Sequence, residues 1–440
     1  MKKLLSLALI LVLAISFASV AGAETETRTV TFWYSLGGTN GEALLANVTA
    51  FNESQDEIYV DAIYQGAYDD AMIKIKAAVP AGEGPDIFQI YEMGTAYLIE
   101  QDWIIPFSEM LEEDPFMEED DIIDALRNYY TIDGTLWCVP YNPSSPIMYY
   151  NKDAFEAAGI TEIPTTFAEI AAIADQLTSV EGNPEYAMGL SIYGWFFEAL
   201  LVNAGYYYVD NENGRAGTAT QIVYDTNGGG QLVMEAWKEL VDTGVCYNYG
   251  VDNTSAQTGF MAGDVAIIFE STATLASLTS GADFEVGVAY LPSVTDERAD
   301  RAIVGGGALW MVRTGDEQRE ADTWTFLKYM VSAEAAASFS MASGYYAANE
   351  NAYEVDEYVT YLEENPNAQV ALDQVQSSEV SNLTGSVFTG VNSELRQIWQ
   401  EEMDLYLQDV YTIEEALEEM ADRSNSAIAT YNATLEASEE

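Results

Sequence analysis

Histidine does not occur once in this chain, and basic residues of any kind are scarce: sixteen lysines and arginines stand against seventy-two aspartates and glutamates. Without an imidazole, the Ser-His-Asp and Cys-His mechanisms and the usual zinc sites are excluded together. An enzyme built on this sequence would have to run on carboxylates, tyrosines or lysine. The shortage of basic charge excludes a second group of functions, because nucleic acid and anionic membrane surfaces are gripped by concentrated basic faces. Scattered surface carboxylates explain most of the formal net charge of -56 as a solubilising or salt-tolerant surface. Cysteine is nearly absent as well. Cys138 and Cys246 are the only two, too few for a disulfide scaffold.

Long apolar runs are also missing, with one exception. Lys2 and Lys3 precede a run from Leu4 to about Val20, and Ala21-Gly22-Ala23 then forms a small-residue cleavage site, so residues 1–23 read as a secretory signal. The mature chain is expected to start at Glu24, in the periplasm or outside the cell. No cysteine follows the run directly, so no lipid anchor is expected there. Removing the signal takes two lysines and leaves 14 basic side chains.

What remains is a globular sequence. Of 440 residues 49% are apolar and 12% aromatic, enough for one large or two ordinary domains with real cores. Thr29 to Tyr34 alternates as a strand, Leu44, Leu45, Val48 and Phe51 mark one face of a helix, and Ile58, Val60, Ala62 and Tyr64 alternate again. Asp69 opens a second helix, and Ile87 to Tyr91 forms a third strand. This alternation predicts an α/β fold with a parallel, doubly wound sheet, in which ligands bind beyond the carboxyl ends of the strands. Tyr68, Glu92 and the Gly37-Gly38 turn fall at or just beyond such ends. A second block follows Pro140, with strands at Ile147–Tyr150, Val265–Phe269, Phe284–Tyr290 and Ile303–Val312. Its helices begin at Lys152, near Phe167, near Ala321, near Ser393 and at Ile413.

Several segments resemble a known family in order and spacing: YQGAYDD at 64–70, IYEMGTAYLI at 90–99, PYNPSSPIMYYNKDAFEAAGI at 140–160, AGDVAIIFEST at 262–272, IVGGGALWMV at 303–312 and SGYYAANENAYE at 343–354. They are similar to the extracellular solute-binding proteins of ABC importers, in the class that includes maltose-binding protein. Within it they look most like the glycerol-3-phosphate-binding branch. The resemblance implies a periplasmic-binding-protein fold, two α/β lobes joined by crossing strands that close on a ligand. The expected division gives a first lobe of residues 24–142 and 270–315 and a second of residues 143–269 and 316–440. Cys138 and Cys246 would then lie in different lobes and remain unbridged.

The same resemblance implies a binding site position by position. Tyr68 and Glu92 would contact the ligand, the carboxylate accepting hydrogen bonds from hydroxyls. Ser144, Ser271 and the backbone at Gly306 would meet ligand oxygens, Tyr345 would add a hydroxyl, and Arg396 would grip a phosphate. Trp195 and Phe167 would stack on ligand carbons, although Phe167 fits a core position equally well. Two departures stand out: Pro143 replaces a family serine and lacks its amide, and Glu270 sets a carboxylate beside Ser271.

The implied function is capture of sn-glycerol 3-phosphate or a glycerophosphodiester by a monomeric protein, for delivery to permease subunits, without a cofactor or metal. A neutral sugar or oligosaccharide is the alternative ligand. A carboxylate-dependent carbohydrate enzyme is the rival class, with Glu92, Glu270, Asp69 and Asp70 as its candidates, but nothing in the sequence fixes the separation such a pair needs.

Overall fold

The computed structural model describes residues 27–439. The expected secretory signal lies outside the described residues. No helix among them is long and apolar enough to cross a membrane.

The strand Arg28–Tyr34 buries Val30, Phe32 and Tyr34 on one face, as its alternation requires. It lies between two parallel neighbours, Ile58–Tyr64 on one side and Ile87–Tyr91 on the other. The helices Gly38–Ser54 and Tyr68–Ala78 make the two crossovers, the connection that parallel pairing demands. The strand Gly305–Val312 joins antiparallel to Ile87–Tyr91, with Gly307 opposite Tyr91, and also pairs with Val139–Ser144. Ile104–Ile105 completes a six-stranded sheet. Rings such as Phe32 and Phe88 are fully buried in its core, each contributing about 1.5–3 kcal/mol.

A second sheet of five strands runs in the order Cys246–Asn248, Tyr186–Leu190, Val265–Ser271, Pro146–Asn151, Val286–Tyr290. Its first three strands are parallel and its last two join antiparallel. Against it packs the helix Gly194–Ala204, buried from Gly194 through Asn203. A helix enclosed on all sides carries apolar residues all round and shows no amphipathic period, so sequence periodicity does not reveal it.

The chain passes between the two sheets where Ser145 separates Val139–Ser144 from Pro146–Asn151. The expected division differs from this arrangement in three places. Residues 143 and 144 still belong to the first sheet, because Pro143 and Ser144 pair with Gly306 and Gly305. Val286–Tyr290, expected in the first lobe, pairs with Pro146–Asn151 in the second sheet. Helices Glu317–Met330 and Ala333–Ser343, expected in the second lobe, contribute Trp324, Phe326, Met330 and Phe339 to the first core. Local alternation defines a strand without saying which sheet edge will accept it.

Cys138 and Cys246 are buried free thiols in separate cores. Burial pushes both above the ordinary thiol range, which leaves them unreactive.

Candidate functional site

Between the sheets lies a cleft of about 240 Å³ lined by Tyr68, Tyr91, Glu92, Ser144, Trp195, Glu270, Ser271, Gly306, Tyr345 and Arg396, among others. Eight of the nine residues singled out in the sequence therefore share one cavity. The ninth, Phe167, starts the helix Phe167–Thr178 and packs on Phe269 in the second core, with ring centroids 5.7 Å apart.

From the first sheet, the strand Ile87–Tyr91 delivers Glu92 at its carboxyl end, buried, with its backbone oxygen accepting from the Tyr129 hydroxyl at 3.1 Å. Tyr68 is held from two directions: its ring stacks on Tyr91 at 5.1 Å, and its hydroxyl accepts from Gln89 Nε2 at 2.9 Å and Asn142 Nδ2 at 3.0 Å. Burial pushes the Tyr68 phenol well above its ordinary range, so it stays neutral and able to donate. Tyr345 stacks on Phe339, and burial raises it to about 12. Its neighbour Tyr346 turns into the first core.

Gly306 sits at φ +92, where a Cβ would lie 2.0 Å from the Asn142 carbonyl oxygen. The pairing register slips just beyond it, between Gly307 and Ala308. Glycine is thus required for the strand geometry and at the same time presents bare backbone to the cavity.

From the second sheet, Val265–Ser271 brings Glu270 and Ser271. The Glu270 carboxylate accepts from the Ser271 amide at 2.7 Å and from Gln257 Nε2 at 2.9 Å, while Ser271 Oγ caps the following turn by accepting from Ala273. Burial raises Glu270 to about 7 despite those two donors. Trp195 is 5% exposed, and its indole N–H has no acceptor among the described residues.

Arg396, on the helix Asn392–Leu407, is the one basic residue among the cleft's lining residues. It donates to Glu198 Oε2 at 2.6 and 3.0 Å and to Glu92 Oε1 at 3.2 Å. Burial opposes its charge, but Glu198 and Glu92 outweigh that and hold it above the usual arginine range. For Glu92, burial is the larger effect and raises it, with Arg396 pulling the other way. Glu198 accepts in turn from the Ser386 hydroxyl and the Val387 amide. A carboxylate of the first lobe and a guanidinium of the second thus meet across the cleft, with hydroxyls, an indole N–H and aromatic faces around them. Such a set grips a small hydroxylated ligand, anionic or neutral.

Sequence reasoning missed Glu198, which holds Arg396, and two further residues that line the cleft, Tyr193 and Asn253. Glu198 did leave a trace: it is the one acid in the apolar run GWFFEALLV, and an acid buried in such a run must be paired.

The family model described as bacterial extracellular solute-binding protein matches residues 46–369. The sn-glycerol-3-phosphate-binding periplasmic protein UgpB of Salmonella typhimurium is 28% identical over 411 residues, which covers 92% of this chain and 93% of that protein. Its counterpart in Yersinia pseudotuberculosis is 29% identical over 405 residues, 90% and 91% of the respective chains. Among solved structures, UgpB from Mycobacterium tuberculosis in complex with glycerophosphocholine superposes with a TM-score of 0.77 at 21% identity, covering 93% of this chain and all of that one. The GacH receptor of Streptomyces glaucescens, solved unliganded and with acarbose, reaches 0.77 at 20% identity over 92% and 100%.

Proposed function

This chain belongs to the bacterial extracellular solute-binding proteins, and we propose that it captures a glycerol-phosphate ligand by lobe closure for delivery to an ABC permease. It acts as a monomer outside the cytoplasm, and its role is binding, without chemistry on the ligand. The observation that carries this reading is the meeting of Glu92 and Arg396 across the cleft. Arg396 would grip the phosphate with charge-assisted hydrogen bonds, about twice as strong as neutral ones. Glu92 would accept from the glycerol hydroxyls, and Trp195 would cover the carbons while its N–H finds a ligand oxygen. The hydroxyls of Tyr68, Ser144, Ser271 and Tyr345 and the backbone at Gly306 complete the set. The names of the relatives, which bind sn-glycerol 3-phosphate, support the same class.

Within that class the charges favour a phosphodiester over a phosphate monoester. Arg396 is already shared between two acids of the site, Glu92 and Glu198, which leaves little free positive charge for a ligand. A singly charged diester suffers less repulsion there than a dianion. A neutral oligosaccharide is the second reading, supported by the carboxylates and by Trp195. Calorimetric titration with glycerophosphocholine, sn-glycerol 3-phosphate and maltotriose separates the three. The diester is expected to bind tightest. Binding of maltotriose without binding of either phosphate compound would remove the glycerol-phosphate assignment and leave the family role intact.

A further inference from the structure

Arg215 is absent from the cleft lining, and in a chain so rich in acids it forms no ion pair among the described residues. Its guanidinium instead makes five hydrogen bonds to four backbone carbonyls. Nε donates to Ser386 at 3.0 Å, Nη1 to Asn128 and Tyr129 at 3.3 Å each, and Nη2 to Tyr129 at 3.2 Å and to Gly385. Asn128 and Tyr129 lie in the last turn of the helix Asp124–Tyr130, which packs on the first core. Arg215 and residues 385–386 belong to the second body, where Val387 enters the other core. The guanidinium also lies between two rings, 5.1 Å from Tyr129 on one side of the boundary and 5.8 Å from Phe388 on the other. A Cβ at residue 385 would stand 2.6 Å from Arg215 Nε, so the glycine there is what permits this approach.

Two of the residues whose carbonyls Arg215 holds are those whose side chains hold the acids of the binding site. The Tyr129 hydroxyl donates to the Glu92 backbone, and the Ser386 hydroxyl donates to Glu198. Glu92 and Glu198 are the two carboxylates that flank Arg396. The bonds close a ring, Arg215–Tyr129–Glu92–Arg396–Glu198–Ser386–Arg215, that crosses between the lobes twice. One crossing is at the ligand cavity and the other is at Arg215.

We propose that Arg215 is a positioning residue for the ligand site: by joining carbonyls of both lobes, it holds the closed arrangement in which Arg396 joins Glu92 to Glu198. The guanidinium suits this because its planar fork serves several acceptors at fixed angles, which a lysine ammonium does not do. Opening the lobes strips it of the Asn128 and Tyr129 carbonyls together. The energy of those contacts therefore adds to ligand retention, although Arg215 touches no ligand atom. This rests on the cleft being the binding site, as proposed above.

The test combines a distance measurement with a binding measurement. Spin labels at Ala50→Cys and Ala172→Cys, exposed positions on helices of the first and second lobes, report the interlobe distance. Arg215→Met, and Tyr129→Phe as a milder variant that keeps the ring, are compared with the parent by double electron–electron resonance. All are also titrated with glycerophosphocholine in stopped flow. Arg215→Met is expected to shift the distance distribution toward open forms, and to weaken binding of the probe at least tenfold through a faster off-rate at an unchanged on-rate. Tyr129→Phe, which keeps the carbonyl that Arg215 holds and removes only the hydroxyl bond to Glu92, is expected to weaken binding several-fold through the off-rate at a parental distance distribution. Should the melting temperature fall in both variants while distances and off-rates stay at parental values, Arg215 is only a structural residue and the proposal is overturned. If the parent does not bind glycerophosphocholine, the ligand assignment fails, and the distance distribution alone decides the role of Arg215.

Discussion

Arg396 is a single cation between two buried acids, and its removal leaves both uncompensated. Truncating one partner of a desolvated, hydrogen-bonded charge pair costs about 2–5 kcal/mol, roughly 30- to several-thousand-fold in affinity. Arg396→Ala is therefore expected to weaken binding of a phosphate ligand by at least roughly 30-fold in calorimetry. Glu92→Gln should weaken binding of any ligand with a glycerol or polyol group, because the amide accepts fewer hydrogen bonds. Unchanged affinity in the Arg396 variant would remove the phosphate site. Glu270 makes a separate prediction. Burial raises it to about 7 from 4.5, so its neutral form is the one the folded state favours. The stability this allows is complete below the unfolded value and is lost as pH rises through about 7, on the order of 3 kcal/mol across the window. Relative to Glu270→Gln, the parent should lose melting temperature steadily between about pH 4.5 and 7, and a difference that is flat with pH would contradict that environment. All three residues were legible in the sequence, Arg396 and Glu92 through segment resemblance and Glu270 as a departure from it. Glu198 was not singled out, because a lone acid in an apolar run names no partner until the fold supplies Arg396.

At the level of elements, the strand Gly305–Val312 carries both structure and site. Gly306→Ala places a side chain at positive φ against the Asn142 carbonyl, and it should destabilise the protein by more than the roughly 1 kcal/mol that a strain-free glycine exchange involves. Thermal unfolding checks the loss of stability, and calorimetry should show binding lost with it. An unshifted melting temperature would mean the bulge is not obligatory. The first three strands and their two crossover helices could be read from alternation and helical period, since each buries one face only. The helix Gly194–Ala204 could not, being enclosed on every side, and neither could the sheet to which Val286–Tyr290 belongs, which depends on a partner more than a hundred residues away. Cys138 and Cys246, in separate cores, should resist alkylation in the folded protein and react with two equivalents of reagent after unfolding without reductant. One disulfide in that experiment would contradict the fold.

Over the whole molecule, the net charge of -56 repels an anionic ligand at long range, but beyond a Debye length of about 8 Å at physiological salt that field is largely screened. Ligand choice then falls to the groups within the cleft, and these are divided between the lobes: Glu92, Tyr68 and Tyr345 on one side, Arg396, Trp195 and Ser271 on the other. Neither half offers the full set, so binding and closure are one event. The pairing of one acid and one cation across the gap is tested most directly by titrating glycerophosphocholine into the parent protein, Glu92→Gln, Arg396→Ala and the double variant, by calorimetry at a fixed salt concentration. If both groups hold one ligand in the closed cleft, each single variant loses at least 30-fold in affinity, and the double variant loses less than the product of the two, since the residues are coupled. Parental affinity in both single variants, with the ligand still bound, would contradict the cleft as the binding site.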